Sequence, residues 1–127
     1  MSSWKILLVD DEEDFIATLA ERLEMRGMQT ETANSGEEAL RILNENPPEI
    51  VVMDVMMPGM NGLECLRRIR QTQPGLPVIL LTGIGSTREG IQGLELGAVN
   101  YLMKPLQIEE LIAKIGEALQ KAPGGST

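Results

Sequence analysis

The chain has 127 residues, a formal net charge of −8 and a hydrophobic share of 43%, enough for one compact core and too short for two ordinary domains. No apolar stretch approaches the roughly 20 residues of a membrane span, and the opening residues 1–5 lack the apolar core of a secretory signal. The chain therefore reads as soluble and cytoplasmic, with no membrane partner. A single cysteine, Cys65, excludes an internal disulfide framework, and the absence of histidine excludes His-based metal sites and Ser-His-Asp triads. Residues 1–60 carry 13 acids and 4 bases, residues 61–127 carry 6 and 7, a balance that argues against direct binding of nucleic acid.

In chain order, residues 6–9 form the first of four short apolar runs; the others are 50–53, 78–81 and 101–103. Each is too short for a helix and too continuous for a strand with one wet face, so each predicts a strand buried on both faces. Residues 28–33 alternate polar and apolar, as an edge strand does. Asp10, Asp11, Glu12, Glu13 and Asp14 follow the first run; this density fits either a solvated helix start or a cation site.

Between the runs the spacing is helical. Phe15, Leu19 and Leu23, with Ile16 and Ala20, predict a helix over 14–26 that stops near Gly27. Ser35 and Glu38 form a capping box before Ala39, Leu40 and Leu43, and Pro47-Pro48 ends that helix. Asn61 and Glu64 repeat the device before Leu63, Leu66 and Ile69, closed by Pro74-Gly75. Residues 86–96 predict a poor helix, since Gly90 and Gly93 each cost about 1 kcal/mol relative to alanine, and mobility is expected there. Ile108, Leu111, Ile112, Ile115 and Leu119 mark the last helix. Residues 122–127 lack apolar periodicity and are expected to be a disordered tail or the start of a linker, leaving one domain over 4–121.

Strand and helix alternate five times. Parallel strands need crossover helices, so the pattern predicts a doubly wound α/β domain on a five-stranded parallel sheet. In such sheets ligands bind beyond the carboxyl ends of the strands. The residues that follow the four runs are Asp10, Asp54, Thr82 and Lys104. Asp10, Asp11 and Asp54 together would be a costly crowd of carboxylates without a cation or a bound proton, and an all-oxygen set of this kind suits Mg²⁺. Lys104 and Thr82 add a positive charge and a hydroxyl aimed at an anion. Metal, carboxylate nucleophile and oxyanion donors together describe phosphoryl transfer to an aspartate.

These residues, with the stretches Val51 to Gly62 (VVMDVMMPGMNG) and Gly97 to Pro105 (GAVNYLMKP), resemble the receiver domains of two-component response regulators over about residues 4–121. The resemblance implies a flavodoxin-like strand order, 2-1-3-4-5. Asp54 would accept the phosphoryl group. Asp10, Asp11, Asp54 and the backbone carbonyl of Met56 would hold Mg²⁺. Lys104 would pair with the phosphoryl oxygens, and Thr82 and Tyr101 would be the switch residues. Lys104-Pro105 would be a cis peptide, which only X-Pro bonds make inexpensive. The implied partners are a histidine kinase or histidine phosphotransfer protein, an output domain or effector, and a second copy on activation. The domain would catalyse only its own phosphorylation and slow dephosphorylation, altering the face made by residues 86–96, the strand at Tyr101 and the last helix. The length leaves room for the switch and none for an output domain.

The chain departs from the commonest family pattern at Gly83, where alanine is frequent, and at Met56. Met56 offers no polar group to orient an attacking water, which predicts a long-lived phosphoryl group; a Mg²⁺-dependent aspartyl-phosphate phosphatase would need an acid at that position. A flavodoxin-like carrier would need a phosphate-cradling loop in place of residues 10–13. A pseudo-receiver would lack one of the chemical residues. Cys65 reads as a packing or surface residue, and Met25, Met28, Met53 and Met103 as core. Arg67, Arg68 and Arg70 are either a solvated helix face or a docking patch. Met57, Pro58 and Met60 are either loop residues or part of the donor's docking surface.

Overall fold

The computed structural model describes residues 4–120; the tail expected at 122–127 lies outside them. Strands and helices alternate as β1 Lys5–Val9, α1 Glu13–Glu24, β2 Gln29–Ala33, α2 Gly36–Glu45, β3 Ile50–Asp54, α3 Gly62–Thr72, β4 Val78–Thr82, α4 Thr87–Glu95, β5 Asn100–Met103 and α5 Ile108–Gln120. All four strand pairings are parallel, and the sheet order is β2-β1-β3-β4-β5.

The period of two along each strand sorts the core into two layers. Leu7, Val9, Val51, Met53, Val78 and Leu80 pack with Ala39, Leu43, Leu66 and Ile69 on the side of α2 and α3. Ile6, Leu8, Ile50, Val52, Ile79 and Leu81 pack with Ile16 and Leu23 of α1 and with Leu111 and Ile115 of α5. Apolar residues on both faces explain why β1, β3 and β4 read as continuous runs.

Residues 101–103 depart from that expectation. Tyr101 is half-buried and Met103 is 50% exposed, because β5 ends the strand order and has one neighbour. Of the methionines assigned to the core, Met53 is fully buried and Met28 packs against the α1 side, whereas Met25 is 79% exposed beyond the end of α1. Cys65 is buried.

The helix starts form as their sequences dictate, with one variation. Ser35 Oγ accepts from Glu38 N at 3.1 Å, and Glu38 Oε1 accepts from Asn34 N at 2.9 Å, one residue earlier than a reciprocal box requires. Asn61 Oδ1 accepts from Glu64 N at 2.9 Å, while the Glu64 carboxylate turns to Arg67 and Arg68. Arg70 turns away from these two: its guanidinium donates to the carbonyls of Pro74 and Leu76. The three arginines therefore form no common patch.

The poor helix propensity that Gly90 and Gly93 give α4 has a packing explanation. Gly90 and Gly93 are both buried on the face toward the sheet, and a Cβ on Gly93 would collide with Leu80 of β4. The helix backbone approaches the sheet where a side chain would hold it off.

Candidate functional site

The carboxyl edge of the sheet gathers the four residues that follow the apolar runs. Asp10 is the residue after β1, Asp54 ends β3, Thr82 ends β4, and Lys104 is the residue after β5. β1 lies between β2 and β3, so the chain leaves β1 toward one edge and returns for β3 on its other side. This reversal of winding separates the loops that leave β1 and β3, the place where doubly wound sheets bind ligands.

Lys104 is the hub. Its Nζ lies 2.8 Å from each of Asp10 Oδ2, Glu12 Oε1 and Asp54 Oδ2, so its three N–H donors meet three carboxylates. The same ammonium sits 4.4 Å from the centroid of the Phe15 ring, a cation–π contact on its remaining side. The second oxygens of the two aspartates are held by backbone: Asp10 Oδ1 accepts from Glu12 N and Asp54 Oδ1 from Met56 N, each at 2.9 Å. Lys104 N donates to Thr82 O at 2.8 Å, and Thr82 Oγ1 makes a long contact of 3.5 Å to Leu102 O. The Lys104-Pro105 peptide is cis.

The electrostatics follow from burial and pairing. Asp10 is fully buried, and burial raises its pKa above the usual carboxylate value; the Lys104 hydrogen bond and the Glu12 N–H offset part of the rise, and the Asp54 charge adds to it. Burial acts to lower the pKa of Lys104, but hydrogen bonds to Asp10, Asp54 and Glu12 outweigh it and hold the ammonium charged. Glu12 is exposed, and its hydrogen bond to Lys104 lowers its pKa.

Oxygens of Asp10, Glu12 and Asp54 all lie within 4.8 Å of one another. This hard, all-oxygen set fits a divalent cation. Among the described residues, Asp11 lies outside that group and is exposed; Glu12 stands with Asp10 and Asp54 instead. Glu12 and Phe15 are the two contacts that sequence reasoning missed. The signal for Glu12 was its place two residues beyond Asp10, where an Asx-type turn brings it back over the strand end; Phe15 carried no signal beyond helical spacing.

The loop from β3 to α3 is shaped by Gly62. A Cβ there would lie 2.5 Å from Asp54 O and 2.7 Å from Val55 Cα, and Gly62 N donates to Val55 O at 2.9 Å. Glycine thus lets α3 begin directly against the end of β3. Met56, whose backbone N–H binds Asp54 Oδ1, has a side chain that is 54% exposed. Met57 is buried and Met60 packs inward against the α2–α3 layer, so neither offers much surface to a docking partner. Tyr101 belongs to the same layer, at the β5 edge.

Fold and site define a doubly wound α/β domain whose sheet edge carries a lysine-bridged carboxylate pocket. Residues 6–116 match the family described as the response regulator receiver domain. The chain belongs to that family and is a receiver domain of two-component signalling. It is 42% identical over 121 residues to the uncharacterized transcriptional regulatory protein YkoG of Bacillus subtilis, covering 95% of this chain and 53% of that protein. To the transcriptional regulatory protein CpxR of Escherichia coli K12 it is 44% identical over 118 residues, covering 93% and 50%. The crystal structure of a response regulator receiver domain protein from Clostridium thermocellum superposes with a TM-score of 0.89 at 36% identity, covering 93% of this chain and 95% of that one. The chain spans about half the length of the curated relatives it matches. Among the described residues, no helix is long and apolar enough to cross a membrane.

Proposed function

We propose that this chain is a phosphorylation-activated switch in which Asp54 accepts a phosphoryl group and the α4–β5–α5 face reports it. The observation that carries this reading is the placement of Asp54 Oδ2 at 2.8 Å from Lys104 Nζ, with Asp10 on the same ammonium. A carboxylate nucleophile, a fixed cation and a further acidic ligand converge on one point at the sheet edge.

The Asp54 carboxylate attacks phosphorus: an O–P bond forms as the P–N bond to a phosphohistidine, or the P–O bond of a small acyl phosphate, breaks. Lys104 neutralises charge on the transferring oxygens, and the Met56 N–H fixes the rotamer of Asp54 from the other oxygen. Asp10, Asp54 and the Met56 carbonyl would hold Mg²⁺, with Glu12 close by and the exposed Asp11 side chain turning in to join them; when bound, the ion supplies further neutralisation of the phosphoryl oxygens. With no histidine among its 127 residues, this domain does not supply its own phosphohistidine; the donor is a histidine kinase, a histidine phosphotransfer protein or a small phosphodonor. A groove of about 440 Å³, apolar at Phe15, Leu19, Pro105, Leu106 and Ile108 and polar at Asp14, Thr18 and Arg22, adjoins Lys104 through Phe15 and Pro105, and suits an amphipathic face of a protein donor.

Thr82 then turns to the new oxygens and Tyr101 follows, biasing an existing equilibrium of α4 and β5. Ile91, Leu94, Val99 and Met103 are exposed large apolar residues of this face, which favours its use by an output domain, an effector or a second copy. Incubation with acetyl phosphate and Mg²⁺ should add one phosphoryl mass to wild type and none to Asp54→Ala. An equal gain on both would refute the assignment.

A further inference from the structure

Gly90 stands where α4, Thr82 and Tyr101 meet. A Cβ built on it would lie 2.9 Å from both Cδ1 and Cγ of Tyr101 and 3.1 Å from Cγ2 of Thr82. Tyr101 pairs with Leu80 in the β4–β5 register, and Thr82, two residues beyond Leu80, faces the same side of the sheet. The Tyr101 ring thus fills the space that an alanine methyl would take on the inner surface of α4.

The backbone does not ask for glycine here. Gly90 lies inside α4 and is absent from the positive-φ glycines among the described residues, Gly27, Gly59, Gly85 and Gly97. Helix propensity alone favours alanine. What glycine supplies is room for the ring, and contact with both Thr82 and Tyr101.

We propose that Gly90 is the positioning residue of the switch: it seats the Tyr101 ring against α4 beside the Thr82 methyl, so that a movement of Thr82 is passed to the β5 edge. The origin of the Thr82 movement rests on the reading of Asp54 as phosphoryl acceptor; the seat itself does not. A methyl at position 90 displaces the ring from α4 before any phosphoryl group arrives, and the β5 edge then no longer follows the site.

Tyr101 is the only tyrosine, so 3-fluorotyrosine labelling gives one ¹⁹F resonance. Without phosphodonor, Gly90→Ala should shift that resonance and increase its broadening by a soluble paramagnetic probe. Gly83→Ala, where an added Cβ meets nothing within 4 Å, should leave it in place. An unmoved resonance in Gly90→Ala, or the same shift in Gly83→Ala, overturns the proposal. Urea midpoints provide a second arm. Gly90→Ala should raise the midpoint in a Tyr101→Ala background and fail to raise it when the ring is present; an equal rise in both backgrounds overturns the seat.

With acetyl phosphate and Mg²⁺, the ¹⁹F change per phosphorylated fraction should fall at least severalfold in Gly90→Ala. A change as large as that of wild type refutes the coupling. If wild type gains no mass, the acceptor reading fails, and the donor-free and urea arms still decide the seat.

Discussion

Lys104 illustrates how a single side chain organises the site: three carboxylates share its ammonium, and Phe15 covers it. Met56, two residues past Asp54, is an exposed apolar side chain, and the proposed function gives it the opposite kind of control. Met56→Asn places an amide where a hydrolytic water approaches, and dephosphorylation should speed up on the order of tenfold, about 1.4 kcal/mol of barrier. Acyl phosphate decay followed by intact mass reads this directly, and an unchanged rate contradicts the role given to Met56. Cys65 is a free, buried cysteine, and its burial predicts a slow thiol. Burial raises its thiol pKa from 9.0 to about 11, so at pH 8 the native protein should resist iodoacetamide and label only once unfolded. A folded pKa above the unfolded one also means that the protonated thiol contributes stability fully below about pH 9. That contribution is lost as pH rises through about 11, and a Cys65→Ala variant should lack this part of the alkaline loss in urea midpoints.

At the scale of elements, capping and close approach do most of the work. Ser35→Ala removes the acceptor of Glu38 N and should cost about 1 kcal/mol in urea denaturation. Gly93→Ala gains helix propensity of about 1 kcal/mol but drives a methyl into Leu80. Overpacking costs typically about 1–3 kcal/mol, so the variant should be no more stable than wild type and less stable if Leu80 cannot yield; clear stabilisation would mean that α4 moves away freely. These two cases mark what a sequence conveys about elements. Ser35 and Glu38 announce a helix start because capping is local. Gly90 and Gly93 look only like weak helix, since their purpose lies in Leu80 and Tyr101, residues of other strands. Likewise Tyr101 to Met103 reads as a buried strand, because apolar content does not say which strand ends the sheet.

For the molecule as a whole, parallel winding explains the rest. Asp10, Asp54, Thr82 and Lys104 are separated by up to 94 positions, yet all fall at the carboxyl edge because each follows or ends a parallel strand. This much was legible from four apolar runs and the residue at each end. Glu12 was not, since its approach to Lys104 depends on the turn after Asp10, and neither was the exposed position of Asp11. The acidic first half supplies the site's carboxylates, Asp10, Glu12 and Asp54, and the second half supplies Lys104, Thr82 and the exposed apolar face of α4 and β5. Under the proposed function, input chemistry and output surface would thus be joined across β3, β4 and β5. The most direct test of this account is chemical trapping at one residue. After incubation with acetyl phosphate and Mg²⁺, borohydride reduces an aspartyl phosphate to homoserine, and peptide mass mapping locates it. The account predicts homoserine at position 54 and nowhere else; homoserine at another aspartate, or none in a protein that has gained phosphoryl mass, would contradict it.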